Sequence, residues 1–178
     1  MILPALCVLL IGFFELGYRS YAASVVQGAL HEAARMATVG NVSMDDIDER
    51  VRSRLSDFAR QGSVDIETTS YYEFSGVAMP ETITSDTAPI GVYNEGDCFM
   101  DSNGNGTYDL DRGTAGSLGG AEDIVRYVVT LTVPMILPAG SFMGWDDEHV
   151  IRANTVLRNQ PYGGRNVVTT QICPEEES

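Results

Sequence analysis

The stretch DSNGNGTYDLDRG, residues 101–113, sets oxygen-bearing side chains at alternate positions. Asp101, Asn103 and Asn105 stand at loop positions 1, 3 and 5, Gly106 at 6, Thr107 at 7 and Asp109 at 9. Calcium takes roughly six to eight hard oxygens, and loops that bind it use this alternation. One tight turn, eased by glycine, points the side chains inward, while a backbone carbonyl serves at position 7. The template fails at the bidentate closer: position 12 is Arg112, and Asp111 stands one residue early. The candidate ligands are therefore Asp101, Asn103, Asn105, Thr107 through its carbonyl, Asp109 and Asp111, with Asp97, Glu122 or Asp123 as alternative closing acids. A bound Ca²⁺ would order the loop and do no chemistry. The competing reading is a run of Asx turns in which Asp and Asn bond their own backbone.

The other reactive residue types are scarce. Three cysteines are present: Cys7 in an apolar run, Cys98 and Cys173 in the polar part. Outside the cytoplasm Cys98 and Cys173 could pair and tie the tail to a central loop; two free thiols are the alternative. Only two histidines, His31 and His149, are available, so a histidine-based metal site lacks material. No nucleophile elbow, phosphate loop or zinc-protease motif is found, and no enzymatic activity is expected. Phe142, Met143 and Trp145 read as packing residues. The net charge is −14, and all 11 basic residues are arginine. That balance argues against nucleic acid, whose binders displace counterions with a basic face. It also argues against electrostatic attachment to anionic lipid.

The elements that must position these residues divide clearly. ILPALCVLLIGFF carries no charge, and SYAASVVQGALHEAARMATVG repeats apolar residues at Ala22, Val25, Val26, Ala29, Leu30, Ala33 and Ala37. This i, i+3, i+4 spacing predicts one helix over 2–38, apolar first and amphipathic second, stopped near Gly40 and Asn41. Ser43, followed by Asp45 and Asp46, can cap a second helix reaching Gly62, with Ile47, Val51, Leu55, Phe58 and Ala59 on one face. SVDIETTSYYEF, VRYVVTLTVPMIL and VIRANTVLRN predict strands. A loop-rich stretch runs from 75 to 121 between the first two. The class is α+β: a long N-terminal helix, a second helix, then a small antiparallel sheet with a long loop. The expected domains are 1–40 for the helix and 41–178 for an extracytoplasmic head.

Glu15 interrupts the apolar run. An acid at membrane depth costs roughly 2.5 to 3.5 kcal/mol on insertion scales. A cleavable secretory signal would want a basic start that is absent here. A plain anchor would want about 20 apolar residues, more than precede Glu15. On a helix leaving the membrane, Glu15 can snorkel to the headgroups, pair with Arg19 one turn on, or meet a charge on a neighbouring subunit.

The segment ILPALCVLLIGFFELGYRSYAASVVQGALHEAARMATVG resembles the N-terminal signature of TadE-like proteins, the pseudopilins of tight-adherence (Flp-type) pilus systems of bacteria. The likeness lies in an apolar-Leu-Pro start, the G-x-x-E-L-G step, and an Ala-rich amphipathic helix ending in A-A-R-x-A. ANTVLRNQPYGG near the C-terminus and CFMDSNGNGTYDLDRG are similar to further blocks of that family, while residues 41–95 carry no distinctive match. Family precursors have a leader, a cleavage site after a small residue and an early Glu-Phe pair. None of these stands before Ile2, so the likeness carries the class and not the processing step. It implies a single-pass protein of the bacterial inner membrane with a periplasmic or extracellular head, incorporated in a surface pilus as a minor subunit. Its partners would be other pilin or pseudopilin subunits, the pilus-assembly platform and inner-membrane lipid. Ala5, Gly12 and Ala22 would allow close helix approach. The alternative is a signal-anchored calcium-binding adhesion or sensor domain outside any filament.

Overall fold

The structure, a computed structural model, describes residues 2–39, 42–120, 122–135, 147–158 and 169–173. Helix α1, Leu3–Val39, runs unbroken for 37 residues, about 55 Å at 1.5 Å per residue. Its two halves live differently. Between Ile2 and Phe14 the large apolar side chains are exposed, Phe14 at 71 %. Further along, Ala22, Val26, Ala29, Leu30 and Ala33 are buried, at the helical spacing expected of a core-facing stripe. Three of those five are alanines, which lets a neighbouring element come close.

The chain forms two compact units, 1–67 with 127–156 and 68–126 with 157–178. The first 40 residues thus share a unit with part of the expected head. In the first unit, α2 (Met44–Arg54) packs against α1. Ser43 and Asp46 make a reciprocal capping box, the Ser43 hydroxyl accepting from the Asp46 N–H and the Asp46 carboxylate from the Ser43 N–H. Ile47, Val51 and Leu55 are buried at i, i+4, i+8. Glu32 of α1 accepts from both Arg50 and Arg54 at 2.8 Å. The expected single helix to Gly62 instead breaks at Leu55, whose backbone leaves the helical region, and resumes as α3, Ser56–Ala59. The break keeps Leu55 buried and lays Phe58 against Tyr18 and Tyr21, with centroids 6.0 and 5.8 Å apart. Gly62 then passes so close to Thr132 that a Cβ would collide with the Thr132 carbonyl.

The larger sheet has the order β4-β1-β5-β6, from β1 (Ser63–Tyr71), β4 (Thr114–Ala115), β5 (Ile124–Pro134) and β6 (Glu148–Arg158). β5 is buried along most of its length, as a nearly continuous apolar strand should be in a sheet interior. β6 alternates between exposed and half-buried residues, with Ile151 buried. The Tyr127 hydroxyl on β5 donates to Asp48 of α2 at 2.6 Å, and burial pushes that phenol's pKa up.

The second unit departs most from the sequence reading. The stretch 75–121 is not one loop: it holds β2 (Thr82–Ser85), β3 (Cys98–Asp101) and β4. β2 and β3 join β7 (Thr170–Ile172) in a second antiparallel sheet, with Phe99 opposite Ile172 and Met100 opposite Gln171. Strands of two to four residues are too short to show alternation, and β7 comes from the far end of the chain. Tyr93 stacks on Tyr108 at 4.0 Å, and Phe99 meets both rings edge-on. Phe142, Met143 and Trp145 lie outside the described residues, as do Gly40 and Asn41 and the tail of the ANTVLRNQPYGG block after Arg158.

Candidate functional site

Asp101 ends β3 and is buried. One carboxylate oxygen accepts from the Gly104 N–H at 2.6 Å, the other from the Gly106 N–H at 2.9 Å. Both glycines have positive φ, 76° and 80°, a conformation that costs other residues and folds the chain back over Asp101. The Asn103 and Asn105 amides donate to the same oxygen of Asp109, at 2.7 and 2.6 Å. The Asn105 carbonyl oxygen accepts from the Thr107 N–H and hydroxyl. Asp101, Asn103, Asn105, Thr107 and Asp109 therefore form one closed loop, with its polar groups satisfied by Asx turns and side-chain amides.

Asp111 points elsewhere. It accepts from the Tyr71 hydroxyl at 2.9 Å and the Gly113 N–H at 3.2 Å, with Arg126 at 3.9 Å. Arg112, at the twelfth position, pairs with Glu73 at 3.3 Å. Of the other expected closers, Asp97 accepts from the Thr87 N–H and hydroxyl and from the Asn94 N–H. Those bonds, the Thr87 amide foremost, hold its pKa below the usual carboxylate range. Glu122 pairs with Arg158 at 3.6 Å, and Asp123 accepts from the Gly120 N–H at 2.6 Å.

The acid that does reach the loop is Glu81, which is buried. It accepts from the Ser102 N–H at 2.7 Å and from the Asp109 N–H at 3.2 Å, spanning the loop from beneath. Burial pushes its pKa up. Sequence reasoning missed Glu81 because it stands 20 residues before Asp101 with no spacing to link them. Among the described residues no group of three or more His, Cys, Asp and Glu is arranged to hold a metal ion. The loop's oxygens are instead a mixed set: two carboxylates, two amides and a backbone carbonyl.

Cys98 and Cys173 form a disulfide, S–S 2.14 Å, joining β3 to the residue that follows β7. Cys7 is a free, exposed thiol.

Glu15 does not pair with Arg19. Its carboxylate lies 2.6 Å from Nε2 of His149 on β6, and the two side chains are only 18 % and 10 % exposed. An exposed i, i+4 pair is worth a few tenths of a kcal/mol, whereas a desolvated acid needs a partner that packs against it. Arg19, on an exposed face, offers the first. His149, at the start of β6, offers the second, 134 residues away in sequence.

Residues 1–35, a stretch that takes in most of α1, match the family described as TadE-like protein. The match covers 35 of the 178 residues and is consistent with a TadE-like pseudopilin. No curated protein and no solved structure matches the chain. The helix from Ala5 to Thr38 is long and apolar enough to cross a membrane.

Proposed function

We propose that the protein is a minor pseudopilin of a tight-adherence pilus, held in the inner membrane by α1 with its head on the outer side, and serving surface attachment. The observation that carries the reading is the division of α1: a bare apolar half before Glu15, and a second half built into the core of its own unit. A helix so divided can exchange lipid for the apolar faces of other pilin helices without unfolding its head. Ala5 and Gly12 stand on the bare half, and a Cβ at Gly12 would meet nothing, so another helix can approach closely there. Ala22 cannot serve this way, because it is fully buried within its own unit. The Cys98–Cys173 bond supports export to an oxidising compartment. The role is structural, with no catalytic step assigned. A photo-crosslinker at Phe13 in pilus-bearing cells should give adducts with pilin subunits or the assembly platform; a purely monomeric protein would overturn the reading.

The loop 101–109 would take a structural Ca²⁺ through Asp101, Asn103, Asn105, the Thr107 carbonyl and Asp109. In support, the side chains of Asp101, Asn103, Asn105 and Asp109 are drawn together in one turn, where the two Asn amides would have to exchange their bonds to Asp109 for oxygen contacts to the ion, and the chain carries a large excess of acid. Asp111 is left out of this set, being held by Tyr71. Melting with calcium and then with EDTA tests it: calcium should raise Tm, and an unchanged value removes the ion.

A further inference from the structure

A cleft of about 400 Å³ opens in the second unit, within the size range of small-ligand sites. Its lining narrows the ligand class. Four hydroxyl-bearing residues, Ser70, Thr82, Ser102 and Thr114, are among its lining, and Ser70 and Ser102 donate to the Thr114 and Met100 carbonyls; an apolar ligand would desolvate such groups without offering them bonds. Its cation is already matched, Arg112 facing Glu73 at 3.3 Å, and Asp123 adds a further acid, so an anionic ligand is disfavoured. Tyr72, also in the lining, is 45 % exposed, and an aromatic ring is suited to the C–H face of a flat polar molecule. Hydroxyls both give and accept hydrogen bonds, which suits a ligand whose own groups do the same.

We propose that this cleft binds a neutral carbohydrate, about one or two sugar rings in size, stacked on Tyr72 and hydrogen-bonded to Thr82, Ser102 and Thr114. The inference deepens the attachment role proposed above and rests on it for its biological use; binding itself is measured apart from assembly.

The test uses the full chain in a detergent without a sugar headgroup and saturation-transfer NMR with lactose, maltose, N,N′-diacetylchitobiose and, as the anionic comparison, sialyllactose. At least one neutral disaccharide should bind saturably at up to about 10 mM, and Tyr72→Ala should weaken it about tenfold. Thr82→Val, on an exposed strand residue, should weaken it without altering Tm, so the test does not depend on the folding of one variant. No saturable binding by any neutral sugar, binding unchanged in both variants, or tighter binding of sialyllactose than of lactose would each overturn the proposal. Sugar binding without crosslinks from Phe13 would overturn the assembly reading alone, and crosslinks without sugar binding this one alone.

Discussion

His149→Ala removes the partner that the Glu15 carboxylate has among the described residues, and the consequence can be worked through. The bond is short, 2.6 Å, and the carboxylate is 18 % exposed, so water cannot fully replace the imidazole. Leaving a mostly buried acceptor unpaired costs about 1–3 kcal/mol, at the upper end for a charged group. Lost packing of the ring, itself 10 % exposed, adds to this. We expect about 2–3 kcal/mol for His149→Ala, and about 1 kcal/mol for Glu15→Gln, which keeps the shape and a neutral hydrogen bond. For a chain of 178 residues each kcal/mol moves Tm by about 2–4 °C, so His149→Ala should melt about 4–12 °C lower. The decisive measurement is a double-mutant cycle with Glu15→Ala, followed by urea unfolding in micelles. A coupling of about 1–2 kcal/mol that persists in high salt is expected, because the pair is shielded from ions. Additive effects, with coupling below about 0.5 kcal/mol, would show that the contact does not hold α1 to β6 and would refute the reasoning.

Three further perturbations follow from the same structure. Tyr71, Tyr108 and Tyr127 have pKa values raised by burial, those of Tyr71 and Tyr127 also by acceptor carboxylates. Their contribution to stability is complete below the ordinary tyrosine value of about 10 and is lost as pH rises through the folded values. Absorbance at 295 nm should therefore show a late group among the eight tyrosines, ionising with alkaline unfolding; a single wave near pH 10 with the fold intact would contradict it. Breaking Cys98–Cys173 by Cys173→Ser opens a loop with a sequence separation of 75, for which chain entropy gives about 4 kcal/mol. The oxidised wild type should accordingly resist far more urea than the variant, and equal midpoints would show that the bond adds no stability. Ser43→Ala deletes the capping box of α2 and should cost about 1 kcal/mol in thermal unfolding, whereas Ser43→Asp, which keeps a capping oxygen, should cost much less.

The parts of the fold legible in the sequence are those whose signal is local. α1 announces itself through its uncharged run and the stripe Ala22, Val26, Ala29, Leu30 and Ala33, and β5 through a continuous apolar strand. The Ser43 cap was equally readable, since its partner stands three residues on. The closed turn of 101–109 was visible as an alternation of oxygens with glycine at the bends.

Only the tertiary structure decided which distant residues meet. Glu81 comes beneath the loop, β7 pairs with β3 across about seventy residues of chain, and His149 meets Glu15. The same level of structure turned Ala22 inward, although the helical stripe alone does not say whether a small residue faces its own head or another subunit. Periodicity reports the environment of a face, because burial repeats every turn or every second residue. It carries nothing about the identity of the partner, which depends on how the chain closes long loops and on which desolvated polar groups must then be paired.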